Sequence, residues 1–136
     1  MRWTEKEPQY GDMVRVQVRF YYHYGIYVDD NTVIQFGLPD NGNTPAEEIK
    51  ILFTDVQTFL NGGFLECGEP SDADEKRKRR NPDAVVAIAK SKLGEKGYHI
   101  LQNNCEHFAY ACMFGEKKSF LDDVRAKIRK KLKETE

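Results

Sequence analysis

The sequence predicts an α+β fold, on three observations. Strand-like segments fill the first half of the chain and helix-like segments the second, an order that suits an antiparallel sheet covered by helices. Its 136 residues are 40% hydrophobic and 12% aromatic, enough apolar material for one core. No internal repeat or low-complexity stretch competes with this organisation. The expected architecture is one domain over 1–136, with its core at about 8–115 and a basic amphipathic helix at 116–136.

The first strand is read at Met13–Tyr22, after a polar lead-in and the turn Gly11-Asp12. Val14, Val16, Val18 and Phe20 alternate there with Arg15, Gln17 and Arg19, the period of a half-buried strand. His23–Val28 continues the β-rich composition. Asp29-Asp30-Asn31 supplies a hairpin turn, and Thr32–Phe36 is the returning strand. The Gly-, Pro- and Asn-rich segment 37–45 is a loop. Glu48–Phe53 reads as a further strand, Asp55–Leu60 as a short helical turn before Gly62-Gly63, and Phe64–Glu66 as an extension of the sheet, making about four to five strands. Residues 69–81, with the run Lys76-Arg77-Lys78-Arg79-Arg80, are expected to be a solvated loop.

Asn81-Pro82-Asp83 is a cap, a first-turn proline and a first-turn acid, so a helix starts there and carries Val85, Val86, Ala89 and Leu93 before Gly94. A second helix runs from about Asn104 to Phe114 and ends at Gly115. A third begins near Ser119 with Phe120, Val124, Ile128 and Leu132 on one stripe.

Charge narrows the function. Lys+Arg total 21 against 22 for Asp+Glu, a net charge of −1. A globally basic nucleic-acid binder and an acidic tail are both excluded. The longest apolar run, Ala84–Ala89, falls far short of the ~20 residues that span a bilayer. No leader is read at the N-terminus, so a cytoplasmic protein, in peripheral contact with membrane at most, is expected. Cys67, Cys105 and Cys112 are expected as free thiols, and neither they nor His23, His99 and His107 show metal-ligand spacing. No cofactor is implied.

Chemistry concentrates at Asn103-Asn104-Cys105-Glu106-His107-Phe108. Asn104 as N-cap puts Cys105 in the first turn of its helix, where unpaired N–H groups and the positive dipole end favour a thiolate and can bind an oxyanion. The alternative is a small buried hydrophobe sharing a face with Phe108, Ala109 and Cys112. A base would have to come from elsewhere, because His107 points away from Cys105 on a helix. His23 is the candidate, and hairpin pairing can set Gln35 beside it to fix the imidazole tautomer. His99 reads as structural.

Asn104-Cys105-Glu106-His107-Phe108, with His23-Tyr24-Gly25-Ile26-Tyr27-Val28 upstream, closely resembles the lecithin:retinol acyltransferase-like family, which includes the small phospholipase A/acyltransferases. The family is similar to a circularly permuted branch of the papain-like NlpC superfamily, with the histidine strand before the cysteine helix. The resemblance implies a Cys–His thiol mechanism: His23 accepts the thiol proton, and Cys105 forms a thioester with an acyl ester, plausibly of a phospholipid. It also aligns Gln35 with a second histidine of the best-known members, a departure that bears on rate and pH profile. Arg19 and Tyr21, just before His23, are weaker candidates for oxyanion or headgroup contacts, as is Asn104, whose first role is capping.

Two other functions stay open: a cysteine amidase or peptidase, and a catalytically silent module that binds protein or membrane. A deep apolar groove beside Cys105 would favour lipid over peptide. Cationic residues at 76–80 and 125–133 raise peripheral contact with an anionic membrane; for the last helix, packing of its stripe on the core is the preferred alternative.

Overall fold

The computed structural model describes residues 1–40, 42–100, 102–115 and 128–134. Six antiparallel strands form one sheet: β1 (Arg2–Thr4), β2 (Met13–Val18), β3 (Tyr21–Asp29), β4 (Thr32–Phe36), β5 (Ile51–Thr54) and β6 (Leu65–Glu69), in the order β1-β6-β2-β3-β4-β5. Among the described residues the sheet is accompanied by the helices α1 (Val56–Leu60), α2 (Ala73–Lys78), α3 (Pro82–Ser91) and α4 (Cys105–Phe114), besides a helical segment at 128–134. The α+β class is as predicted, with one more strand than the upper expectation.

Alternation along β2 to β4 divides the core between the two faces of the sheet. Met13, Tyr24, Ile26, Ile34 and Phe36 meet α3 and α4 on one face, through Val85, Val86, Ala89, Phe108 and Met113. Val14, Val16, Val33 and Cys67 pack around Phe59 of α1 on the other. Gly25 makes the second face possible. A Cβ there would stand 2.9 Å from Val33 Cγ1 and 3.0 Å from Phe59 Cε1, so only glycine lets the phenyl ring lie under β3. Helix α4 is apolar on nearly every side because sheet, α2 and α3 surround it, and Glu106 is its one half-exposed residue.

Four details correct the sequence expectations. The stretch Met13–Tyr22 is not one strand: it turns at Arg19-Phe20, where Arg19 adopts φ 42°, with no glycine or proline to announce the turn. The lead-in contains β1, which pairs with distant β6 through Trp3 opposite Gly68. The expected loop 69–81 holds α2, started by a capping box between Asp72 and Glu75. Its cations are largely spent within the chain. Arg77 and Lys78 pair with Asp74, Arg79 with Asp12, and Arg80 donates to the carbonyls of Ala111 and Cys112. The strand read at Glu48–Phe53 begins only at Ile51, after a 3-10 turn at Ala46–Glu48.

The helix starts at Asn81 and Asn104 are where the sequence places them, each with the Asn side chain accepting from a first-turn N–H. Of the C-terminal stripe, Phe120 and Val124 lie outside the described residues. Residues 128–134 are helical, with Ile128 and Leu132 at 53% and 60% exposure, so this part of the stripe does not pack on the core.

Candidate active site

Two structural devices position the predicted residues about successive residues of β3, Cys105 against Tyr24 and Gln35 beside His23. The Asn104 side chain accepts from the His107 N–H at 3.0 Å, and His107 Nδ1 accepts in return from the Asn104 N–H at 3.1 Å. That reciprocal cap fixes the helix start at Cys105 and gives His107 a structural task. Asn104 also donates to the Ile100 carbonyl at 2.8 Å, so its amide is committed to the cap and the preceding loop. The second device is the β3–β4 hairpin. Gly25 pairs with Gln35, which sets the side chain of Gln35 beside that of His23, as expected from the short turn.

The imidazole Nε2 of His23 lies 2.7 Å from Gln35 Oε1, with both residues buried. Gln35 Nε2 donates in turn to Thr54 Oγ1 at 2.5 Å, and the Thr54 hydroxyl donates to the Asp55 carbonyl at 3.1 Å. This chain assigns the amide orientation and hence the tautomer. Oε1 must accept, so Nε2 carries the proton and Nδ1 keeps a lone pair. Thr54 was not anticipated. Its place on β5, diagonal to Gln35 across the β4–β5 pairing, is set by a register that no local pattern announces.

Cys105 is buried at the start of α4, and the backbone N–H of Tyr24, the residue after His23, is directed at its thiol. The imidazole points to the Phe59 side of the sheet, its ring 5.5 Å from that of Phe59, while α4 packs on the Tyr24 side. In this geometry the ring hydrogen-bonds Gln35 and not the thiol. Tyr98 is a further neighbour that sequence reasoning missed. Burial raises its phenol pKa, with smaller contributions from Cys105 and Tyr21, so the hydroxyl stays protonated. Tyr21 is half exposed, and Arg19 lies on the exposed turn before it.

Burial decides the resting charge of both groups. The Cys105 thiol is pushed up to about 11 by desolvation, which outweighs the N–H groups of Tyr24, Glu106 and Cys105 itself that favour the anion. The helix start alone predicts the opposite direction. Desolvation likewise lowers the His23 imidazole to about 4, against the pull of Gln35, Asp40 and the Gly37 carbonyl. The resting pair is thiol and neutral imidazole. Neither cavity described is a groove at the thiol: one of about 40 Å³ is lined by Phe36, Ile51 and Phe108 but not by Cys105, and one of about 290 Å³ opens at the far end of β3 beside Val28 and Asp29.

Neutral burial of His23 carries a stability consequence. Its folded pKa of about 4 lies below the unperturbed ~6.5. The unfolded chain therefore binds a proton first, so the contribution is complete above pH ~6.5 and is lost as pH falls towards ~4. Roughly 3 kcal/mol is the ceiling for that loss at about 1.4 kcal/mol per pH unit. Urea titrations of wild type and His23→Gln across this window are expected to show a steeper acid decline for wild type. Parallel declines would mean that the imidazole is not held neutral.

Residues 6–118 match the family model described as lecithin retinol acyltransferase. The chain belongs to this family. Among its relatives are mouse lecithin retinol acyltransferase, 28% identical over 145 aligned positions (88% of this chain, 62% of the relative), and human phospholipase A and acyltransferase 3, 27% identical over 134 (92% and 81%). Human phospholipase A and acyltransferase 4 is 24% identical over 128 positions (87% and 77%). The chain thus spans about three-fifths of the length of the lecithin retinol acyltransferases it matches. Within the family match lie the helix-start cysteine, the His23 strand and Gln35, so the residues singled out above all fall in the shared region.

Proposed function

We propose that this protein is a thiol-dependent acyltransferase or hydrolase of the phospholipase A/acyltransferase type, acting on acyl esters of lipids. The observation that carries the proposal is the convergence at β3: a cysteine in the first turn of α4 lies against the Tyr24 N–H, and the preceding residue is a histidine oriented by Gln35. The relatives' names supply the reaction class.

In the proposed cycle His23 Nδ1 accepts the Cys105 proton as sulfur bonds to the ester carbonyl carbon. The tetrahedral oxyanion is met by helix-start N–H groups, and collapse expels the alcohol, which takes the proton back from the imidazole. Water or an acceptor amine or alcohol then cleaves the thioester. With a resting thiol at about 11 and imidazole at about 4, no ion pair stands ready. Proton transfer must therefore accompany attack, with His23 receiving the proton at Nδ1 while its Nε2–H stays on Gln35. Gln35 holds the tautomer that this step requires, with Thr54 holding Gln35.

Intact-protein mass spectrometry after incubation with short-chain phosphatidylcholine tests the assignment. The expected result is a mass gain of one acyl chain on wild type that Cys105→Ala lacks, or release of fatty acid without an adduct where deacylation is fast. Neither adduct nor release would reject the lipid-ester substrate, leaving a peptide substrate or a silent binding module.

A further inference from the structure

Several large apolar side chains stand in water at one end of the sheet. Phe20, on the β2–β3 turn, is 95% exposed, and Phe64, just before β6, is 84% exposed. Antiparallel pairing brings them to the same end: Val16 stands opposite both His23 and Leu65, so Phe64 is one residue, and Phe20 three, beyond the His23 row. A Cβ on Gly63 would touch Val16, which confirms how closely this segment lies on β2. The two phenylalanines form an apolar rim at this end of the sheet.

Arg19 stands next to Phe20 in the chain, and segments 16–28 and 56–65 contain no Asp or Glu. The acid at this end is Asp40, on the loop whose Pro39 carbonyl accepts from Asn61 and whose charge acts on His23. Exposed apolar tips beside charges of both signs match a zwitterionic phospholipid surface, with the phenylalanines among the acyl chains and Arg19 at the phosphates. No helix among the described residues is long and apolar enough to cross a membrane, so contact here is from one side.

We propose that the Phe20–Phe64 rim inserts into the surface of a phospholipid bilayer. This inference rests on the acyl-lipid reading for its purpose, but the binding can be measured without catalysis. The probe is phosphatidylcholine vesicles, whose zero net charge gives a basic C-terminal segment little to hold. Flotation of the full chain is expected to recover wild type and Cys105→Ala alike. Phe20→Ser/Phe64→Ser is expected to partition at least roughly tenfold more weakly, with an unchanged thermal midpoint. Phe53→Ser, exposed on β5 away from the rim, is the control and should float like wild type.

The proposal is overturned if wild type stays with the soluble fraction or if the double variant floats undiminished. A wild-type dimer that the double variant dissolves, with no flotation of either, would overturn it in favour of a contact between two copies of the chain. Vesicle binding without acyl release would keep the rim and reject the catalytic reading. Acyl release from soluble esters without vesicle binding would do the reverse.

Discussion

Cys105→Ala is expected to lower turnover of a soluble acyl ester by roughly 10⁴-fold or more, as loss of a covalent nucleophile does in units of this kind. His23→Ala should approach the same loss, and the double variant should be no worse than Cys105→Ala. That non-additivity is the signature of two groups serving one step. The fold should survive either change. The Asn104–His107 cap does not use the sulfur; His23→Ala removes the partner of Gln35 Oε1, so its thermal midpoint is measured beside its rate. Initial rates with the three variants decide the matter. A Cys105→Ala enzyme retaining a tenth of wild-type activity would remove this cysteine from the mechanism, whatever the family's pattern.

Phe59→Ala is expected to cost about 3–5 kcal/mol of unfolding free energy. The ring is fully buried and fills the space under Gly25, with Val14, Val16 and Val33 around it. Helix α1 has only five residues and an Asp55 cap at its start, so it cannot slide to close the void without breaking that cap. The loss should also reach the site, because the ring lies 5.5 Å from that of His23. Water entering the gap would rehydrate the imidazole and move its pKa from about 4 back towards ~6.5, shifting the acid limb of activity upward. Urea denaturation and the pH dependence of rate measure both effects. A cost under about 1 kcal/mol would mean that α1 is not the support described here.

How far the sequence discloses this arrangement depends on the range of the forces involved. The Val14-Val16-Val18 alternation and the Asn81-Pro82 and Asn104-Cys105 helix starts are local, and each is legible from a few neighbouring residues. Strand β1 is not, because three residues without alternation become a strand only by pairing with Cys67–Glu69, far along the chain. The Arg19-Phe20 turn is hidden for a different reason: alternation of valine and polar residues runs straight into it, and Arg19 adopts a positive φ that its side chain does not advertise. Helix α2 did carry a signal, the Asp72-to-Glu75 capping box, masked by the basic run that follows.

At the candidate site, the helix start at Cys105 and the placing of Gln35 beside His23 are legible from capping and hairpin arithmetic. Thr54 and Tyr98 were not, since the first depends on the β4–β5 register and the second on tertiary packing of the 98–104 loop. The direction of the Cys105 shift also lay beyond sequence: a helix start is a local feature, whereas desolvation depends on everything packed above the sulfur.

That desolvation has a consequence outside catalysis. Peroxides and electrophiles attack thiolate, and a sulfur that is both protonated and enclosed gives them little of it. On the proposed cycle, an idle molecule would therefore keep the Cys105 sulfur from overoxidation. The sulfur would become reactive only as His23 takes its proton during attack on a substrate, so the enclosure that slows that step would also preserve the protein between turnovers.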